Sequence, residues 1–127
     1  MRLHPEDDLQ RAVIETLRLS PSLRAIAIPN GGKRNIREAA RMKGLGVTAG
    51  VSDLMVFWAP AKVAMIELKA PGKVTGKNRP LAALSAEQLG WFGTMQVMGH
   101  YVTVCDSVES VENFLRQCGA PVRTTTG

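Results

Sequence analysis

The run Val51-Ser52-Asp53-Leu54-Met55-Val56-Phe57-Trp58-Ala59-Pro60-Ala61-Lys62-Val63-Ala64-Met65-Ile66-Glu67-Leu68-Lys69 decides the fold. Two apolar stretches rich in β-branched and aromatic residues flank a short turn at Pro60, the pattern of a hairpin. Pairing 51–58 antiparallel with 62–69 across Ala59-Pro60-Ala61 sets Trp58 opposite Lys62. The same register sets Asp53 opposite Glu67, with Cβ atoms about 4.5–5.5 Å apart on one sheet face. Side chains alternate with period two, so Lys69 joins them on that face. Two carboxylates this close repel unless a cation lies between them. Oxygen donors of this hardness suit Mg²⁺ or Mn²⁺ better than zinc, and divalent-metal phosphodiester cleavage would account for the set. A slip of one residue in register would separate Asp53 from Glu67.

Outward from the hairpin, the chain alternates helical and extended patterns. Pro5 suits a first helical turn, and Leu9, Val13 and Leu17 recur at helical spacing, predicting a helix from about 5 to 19 that Ser20-Pro21 stops. Residues 23–28 read as a strand ended by the turn Pro29-Asn30-Gly31-Gly32. A helix is expected over about 33–43, ending at Gly44 or Gly46. Past the hairpin, 71–83 reads as a basic, mobile loop rich in Gly, Pro and Lys. A helix from Ser85 to Gly99, a strand over 101–106 and a helix over 108–118 complete the core, and the residues after Gly119 form a loose tail. The order α-β-α-β-β-α-β-α implies an α/β fold, a mixed β-sheet flanked by helices. The strands at 62 and 101, joined through a helix, should run parallel.

At 127 residues the chain is expected to be one domain, with its core over about 5–118. Hydrophobic residues at 45% and charged residues at 21% exclude a disordered composition. The net charge of +5 makes a polyanionic partner plausible. No apolar run approaches the roughly 20 residues that span a bilayer, so no membrane association is expected. The first residues turn acidic where a signal peptide would turn apolar, which points to a cytoplasmic protein. Cys105 and Cys118 lack CxxC spacing and read as free thiols, and the isolated His4 and His100 suggest no zinc site. Trp58, Trp91 and Phe92 lie on apolar stripes and read as core; so few aromatics argue against a single-strand binder built on stacking platforms.

Five short motifs follow in order: Glu6-Asp7-Asp8-Leu9-Gln10, Pro29-Asn30-Gly31-Gly32, Gly46 with Gly50-Val51-Ser52-Asp53-Leu54, Ile66-Glu67-Leu68-Lys69, and Ser85-Ala86-Glu87-Gln88. The ordered set resembles the virus-type replication-repair nuclease (VRR-NUC) domain of the PD-(D/E)xK superfamily, over nearly the whole chain from about Glu6 to Asp106. One departure is Ser52, where the family usually has proline; a proline there shapes the start of the strand, so the difference is read as without chemical consequence. The resemblance implies a restriction-endonuclease-like core and a Mg²⁺- or Mn²⁺-dependent DNA endonuclease, expected to act on branched or structured DNA. A homodimer in a bacterial or phage-infected cell and a part in DNA repair belong to the same expectation. The alternatives are a Holliday-junction-resolving enzyme and a non-catalytic DNA-binding subunit that keeps the fold.

By that resemblance Asp53, Glu67 and the backbone carbonyl of Leu68 would hold metal, and Lys69 would assist the attacking water. The bland alternative makes Asp53 a cap at the strand start, and Glu67 and Lys69 a surface ion pair. Glu6 lies within about 60° of the Leu9, Val13 and Leu17 stripe at ~100° per residue, whereas Asp7 and Asp8 turn to solvent. Glu6 is therefore the candidate catalytic acid, reaching metal through water; alternatively all three acids only favour the helix N-terminus. Gln88 closes a Ser-x-x-Gln capping-box pattern and also faces inward with Trp91 and Met95, so a capping role and a catalytic role stand together. Arg34, Arg37 and Arg41 form a helical ridge that, with Asn30 and Lys33, could track a phosphate backbone. The alternative is a solvated face with Ile36, Ala39 and Ala40 packing opposite. Lys73 and Lys77, with Arg79, offer a second phosphate clamp in the basic loop.

Overall fold

The computed structural model describes residues 4–29, 35–74 and 80–123. Its elements are α1 (Pro5–Leu17), β1 (Arg24–Ala27), α2 (Ile36–Gly44), β2 (Leu54–Trp58), β3 (Lys62–Leu68), a 3-10 turn (Pro80–Ala83), α3 (Ala86–Val97), β4 (Tyr101–Cys105) and α4 (Val108–Gln117). The sheet has four strands in the order β1-β2-β3-β4. β1 and β2 pair antiparallel, as do β2 and β3, and β3 runs parallel to β4. The hairpin register is the one read from the sequence: Trp58 lies opposite Lys62 and Leu54 opposite Ile66.

Alternation then builds the core. Leu54, Val56 and Trp58 on β2, and Ala64, Ile66 and Leu68 on β3, turn to one face. There they meet Leu9, Val13 and Leu17 of α1 and Val111 and Leu115 of α4 in one buried cluster. Trp58 also stacks on Tyr101, the ring centroids 6.1 Å apart. Met65 and Val104 turn to the opposite face, where α3 packs on β4 and buries Met95. Helices thus flank the sheet on both sides, and the polar end of the hairpin stands at the rim between them.

Boundaries differ from expectation by one to three residues, for local reasons. α2 begins at Ile36 because the Asn35 side chain accepts a hydrogen bond from Glu38 N at 2.7 Å and caps the helix there. No residue of α2 is buried; Ile36 is 89% exposed, and Ala39 and Ala40 are exposed too. The apolar packing considered for that helix face is therefore not made. The stretch read as a mobile loop is ordered at both described ends. Asp106, itself 2% exposed, accepts from Gly72 N (3.0 Å) and Val74 N (3.1 Å), and Pro80–Ala83 forms the 3-10 turn.

Candidate metal centre

Asp53 leaves the sheet at the start of β2, and its Oδ2 accepts from Leu68 N at 2.8 Å. This tie crosses the hairpin and fixes the Asp53 carboxylate beside Glu67. Glu67 is 6% exposed although it is an acid. Its Oε2 accepts from Gln88 Nε2 at 2.9 Å and lies 3.7 Å from Lys69 Nζ. Its Oε1 is buried and, among the described residues, has no hydrogen-bond partner.

Burial pushes the Glu67 carboxyl from its ordinary 4.5 up to about 8. The neighbouring Asp53 carboxylate adds to the rise and the Lys69 ammonium opposes it. A buried carboxylate next to another carboxylate is costly, and a proton or a cation between them removes the cost.

Lys69 and Glu67 are joined through one side chain. Lys69 Nζ donates to Gln88 Oε1 at 2.8 Å, and the other end of the same amide donates to Glu67. Gln88 also completes the α3 capping box: its Oε1 accepts from Ser85 N at 3.0 Å, and Ser85 Oγ accepts from Gln88 N at 3.2 Å. The capping geometry and the reach into the acidic pair coexist in one rotamer.

These groups form the floor of a cleft of about 1040 Å³. Glu6 stands at its edge, and α2 supplies a wall through Ala39, Met42 and Lys43. Glu6 itself is exposed, and its charge acts only weakly on Glu67. Among the described residues no three His, Cys, Asp or Glu side chains gather closely enough to hold an ion. Glu6 is thus not brought to direct-ligand range of Asp53 and Glu67.

The donor set fits a hard cation held by two carboxylates and backbone or solvent oxygens. The bare, buried Glu67 Oε1 is the observation that supports this fit. The Leu68 amide is taken by Asp53, which orients the peptide whose carbonyl is the third candidate ligand.

Of the basic candidates, Arg37 and Arg41 are exposed on α2, with Arg41 3.5 Å from Glu38. Lys73 is exposed in the turn that Asp106 anchors. Asn30, Lys33, Arg34, Lys77 and Arg79 lie outside the described residues.

Three features were missed in the sequence. Lys43 lines the cleft beside the expected arginine ridge. Asp106 ties down the chain after Lys69; an acid placed directly after a buried strand and before Ser107 was the available signal. Ser52 is not neutral: its Oγ accepts from Trp91 Nε1 at 3.1 Å, a bond proline could not make.

A mixed sheet covered on both faces, with an acidic hairpin rim under a capped helix, defines an α/β protein of nuclease fold. The chain belongs to the VRR-NUC domain family, whose model matches residues 3–109. Two solved structures share the fold. One, described as a VRR_NUC domain protein, has a TM-score of 0.65 at 19% identity, covering 92% of this chain and 89% of that one. The other, described as a VRR_NUC domain, has a TM-score of 0.60 at 15% identity, covering 90% of this chain and 97% of that one. Among curated proteins no match is found. Among the described residues, no helix is long and apolar enough to cross a membrane.

Proposed function

We propose that the protein is a divalent-metal-dependent DNA endonuclease that hydrolyses phosphodiester bonds in branched or structured DNA. The observation that carries this reading is the double grip of Gln88 on Glu67 and Lys69, with Glu67 Oε1 left bare beside Asp53. Asp53, Glu67 and the Leu68 carbonyl would hold Mg²⁺ or Mn²⁺, with Glu6 in reach through water. Such an ion supplies charge withdrawal from the scissile phosphate and a lower pKa for attacking water.

The chain's own groups do the rest. Lys69 offers a cation to the attacking water or to the charge that develops on the phosphate. Gln88 holds that ammonium 2.8 Å from its amide oxygen, so the cation is oriented before substrate arrives. The Leu68 amide keeps Asp53 aligned. Lys43 lines the cleft, and Arg37 and Arg41 are exposed on the same helix; these cations would contact phosphates rather than bases. A homodimer would present two such clefts and suits a branched substrate; the site of action proposed with it is the cytoplasm of a bacterial or phage-infected cell.

A panel of labelled DNAs (duplex, nick, flap and four-way junction), incubated with Mn²⁺ or with chelator, tests the reading. Metal-dependent cutting that Asp53→Ala abolishes is expected. Exclusive cutting of the four-way junction would identify a resolving enzyme. No cutting of any substrate across several metals would leave a DNA-binding subunit.

A further inference from the structure

α3 must be placed accurately for Gln88 to reach both Glu67 and Lys69, yet its own sequence holds it weakly. Gly90 and Gly93 stand in its interior, each costing on the order of 1 kcal/mol of helix stability relative to alanine. Met95, near the far end, is the helix's only buried residue among those described. Something else must hold the first turn.

Two contacts do so, both from the segment that leads into Asp53. At Gly50 (φ +85°) the backbone packs against the start of α3 so closely that a Cβ would overlap the Glu87 carbonyl and lie 2.7 Å from Gln88 N. Two residues on, Ser52 Oγ accepts from Trp91 Nε1 at 3.1 Å, with Ser52 only 2% exposed. Trp91 follows Gln88 by three residues, so both side chains leave the same helix face. Gly50, Ser52, Glu67, Gln88 and Trp91 accordingly border one narrow gap.

We propose that Ser52 and Trp91 form a positioning pair, a strut that sets the height and rotation of α3 over the acidic hairpin rim and thereby keeps Gln88 on Glu67 and Lys69. The pair touches none of the reacting groups. A buried indole N–H usually finds some acceptor; here the acceptor belongs to the residue next to Asp53, so one bond ties the helix carrying Gln88 to the strand carrying the first acid. The consequence for catalysis rests on the nuclease reading, but the geometric claim does not.

The test uses the full chain and the variants Ser52→Ala and Trp91→Phe, which remove the acceptor and the donor separately. In metal-free protein, NMR follows exchange of the Gln88 carboxamide protons with water. Either variant should speed that exchange roughly tenfold, and the double variant little further, as expected for two partners of one bond. In the cleavage assay either variant should lower kcat with KM nearly unchanged, and the loss should vanish in a Gln88→Ala background.

Unchanged Gln88 exchange in a folded Ser52→Ala or Trp91→Phe protein overturns the strut. So does a kcat loss that adds fully to that of Gln88→Ala. If Ser52→Ala does not fold, Trp91→Phe decides alone. If wild-type protein cuts nothing, the nuclease reading fails while the exchange measurement still settles the strut.

Discussion

At the scale of single residues, the centre is an acid kept neutral by its surroundings. Glu67 is raised to about 8 first by burial and then by Asp53, so the folded state prefers the proton that the unfolded state releases near 4.5. The sign follows: this group's contribution to stability is complete below the unfolded value and is lost as pH rises through about 8. Thermal melts in chelator should therefore fall between about pH 5 and 8, and Glu67→Gln should flatten that slope. A profile unchanged by the substitution would mean that Glu67 is not the titrating group. Lys69 offers a second test. Lys69→Met keeps the bulk and removes the charge, so single-turnover cleavage should drop on the order of 10²–10³-fold with little change in melting temperature. Cleavage within a few-fold of wild type would remove Lys69 from the chemistry.

At the scale of elements, the hairpin was legible because period-two alternation and the Pro60 turn leave one register that buries both apolar faces. That register places Asp53, Glu67 and Lys69 on one side, and the structure keeps them there. α2 starts at Ile36 rather than near 33 because Asn35, extended in backbone, caps it and accepts from Glu38 N. The helical wheel gave the direction of Glu6: it lines the edge of the cleft, exposed and outside direct-ligand range of Asp53 and Glu67. Partners distant in sequence are not named by any local pattern: nothing near Ser52 points to Trp91, and the position of Asp106 after a buried strand does not say that it holds the 72–74 turn. For the last of these, Asp106→Ala should cost about 1–3 kcal/mol in denaturant unfolding and expose the Gly72 and Val74 amides to exchange. Asp106→Asn, which keeps an acceptor, should cost less. Equal losses would show that charge, not the hydrogen bonds, anchors the turn.

At the scale of the whole molecule, a basic chain of net charge +5 sets Asp53 and Glu67 in one cleft and carries arginines on the exposed helix that walls it. Phosphate contacts from these arginines, as proposed, would make binding fall with salt. Replacing Arg37 and Arg41 with alanine should weaken binding alike across DNA sequences and lower the slope of log affinity against log salt by roughly 1–2. An unchanged slope in titrations from low to moderate salt would take α2 out of the DNA path. The central claim is narrower: Asp53 and Glu67 share one hard cation. Anomalous diffraction from crystals soaked in Mn²⁺ tests it most directly. The account predicts a single strong peak between the two carboxylates, within about 2.0–2.6 Å of an oxygen from each. Carboxylates turned away from each other, with no peak between them, would contradict it.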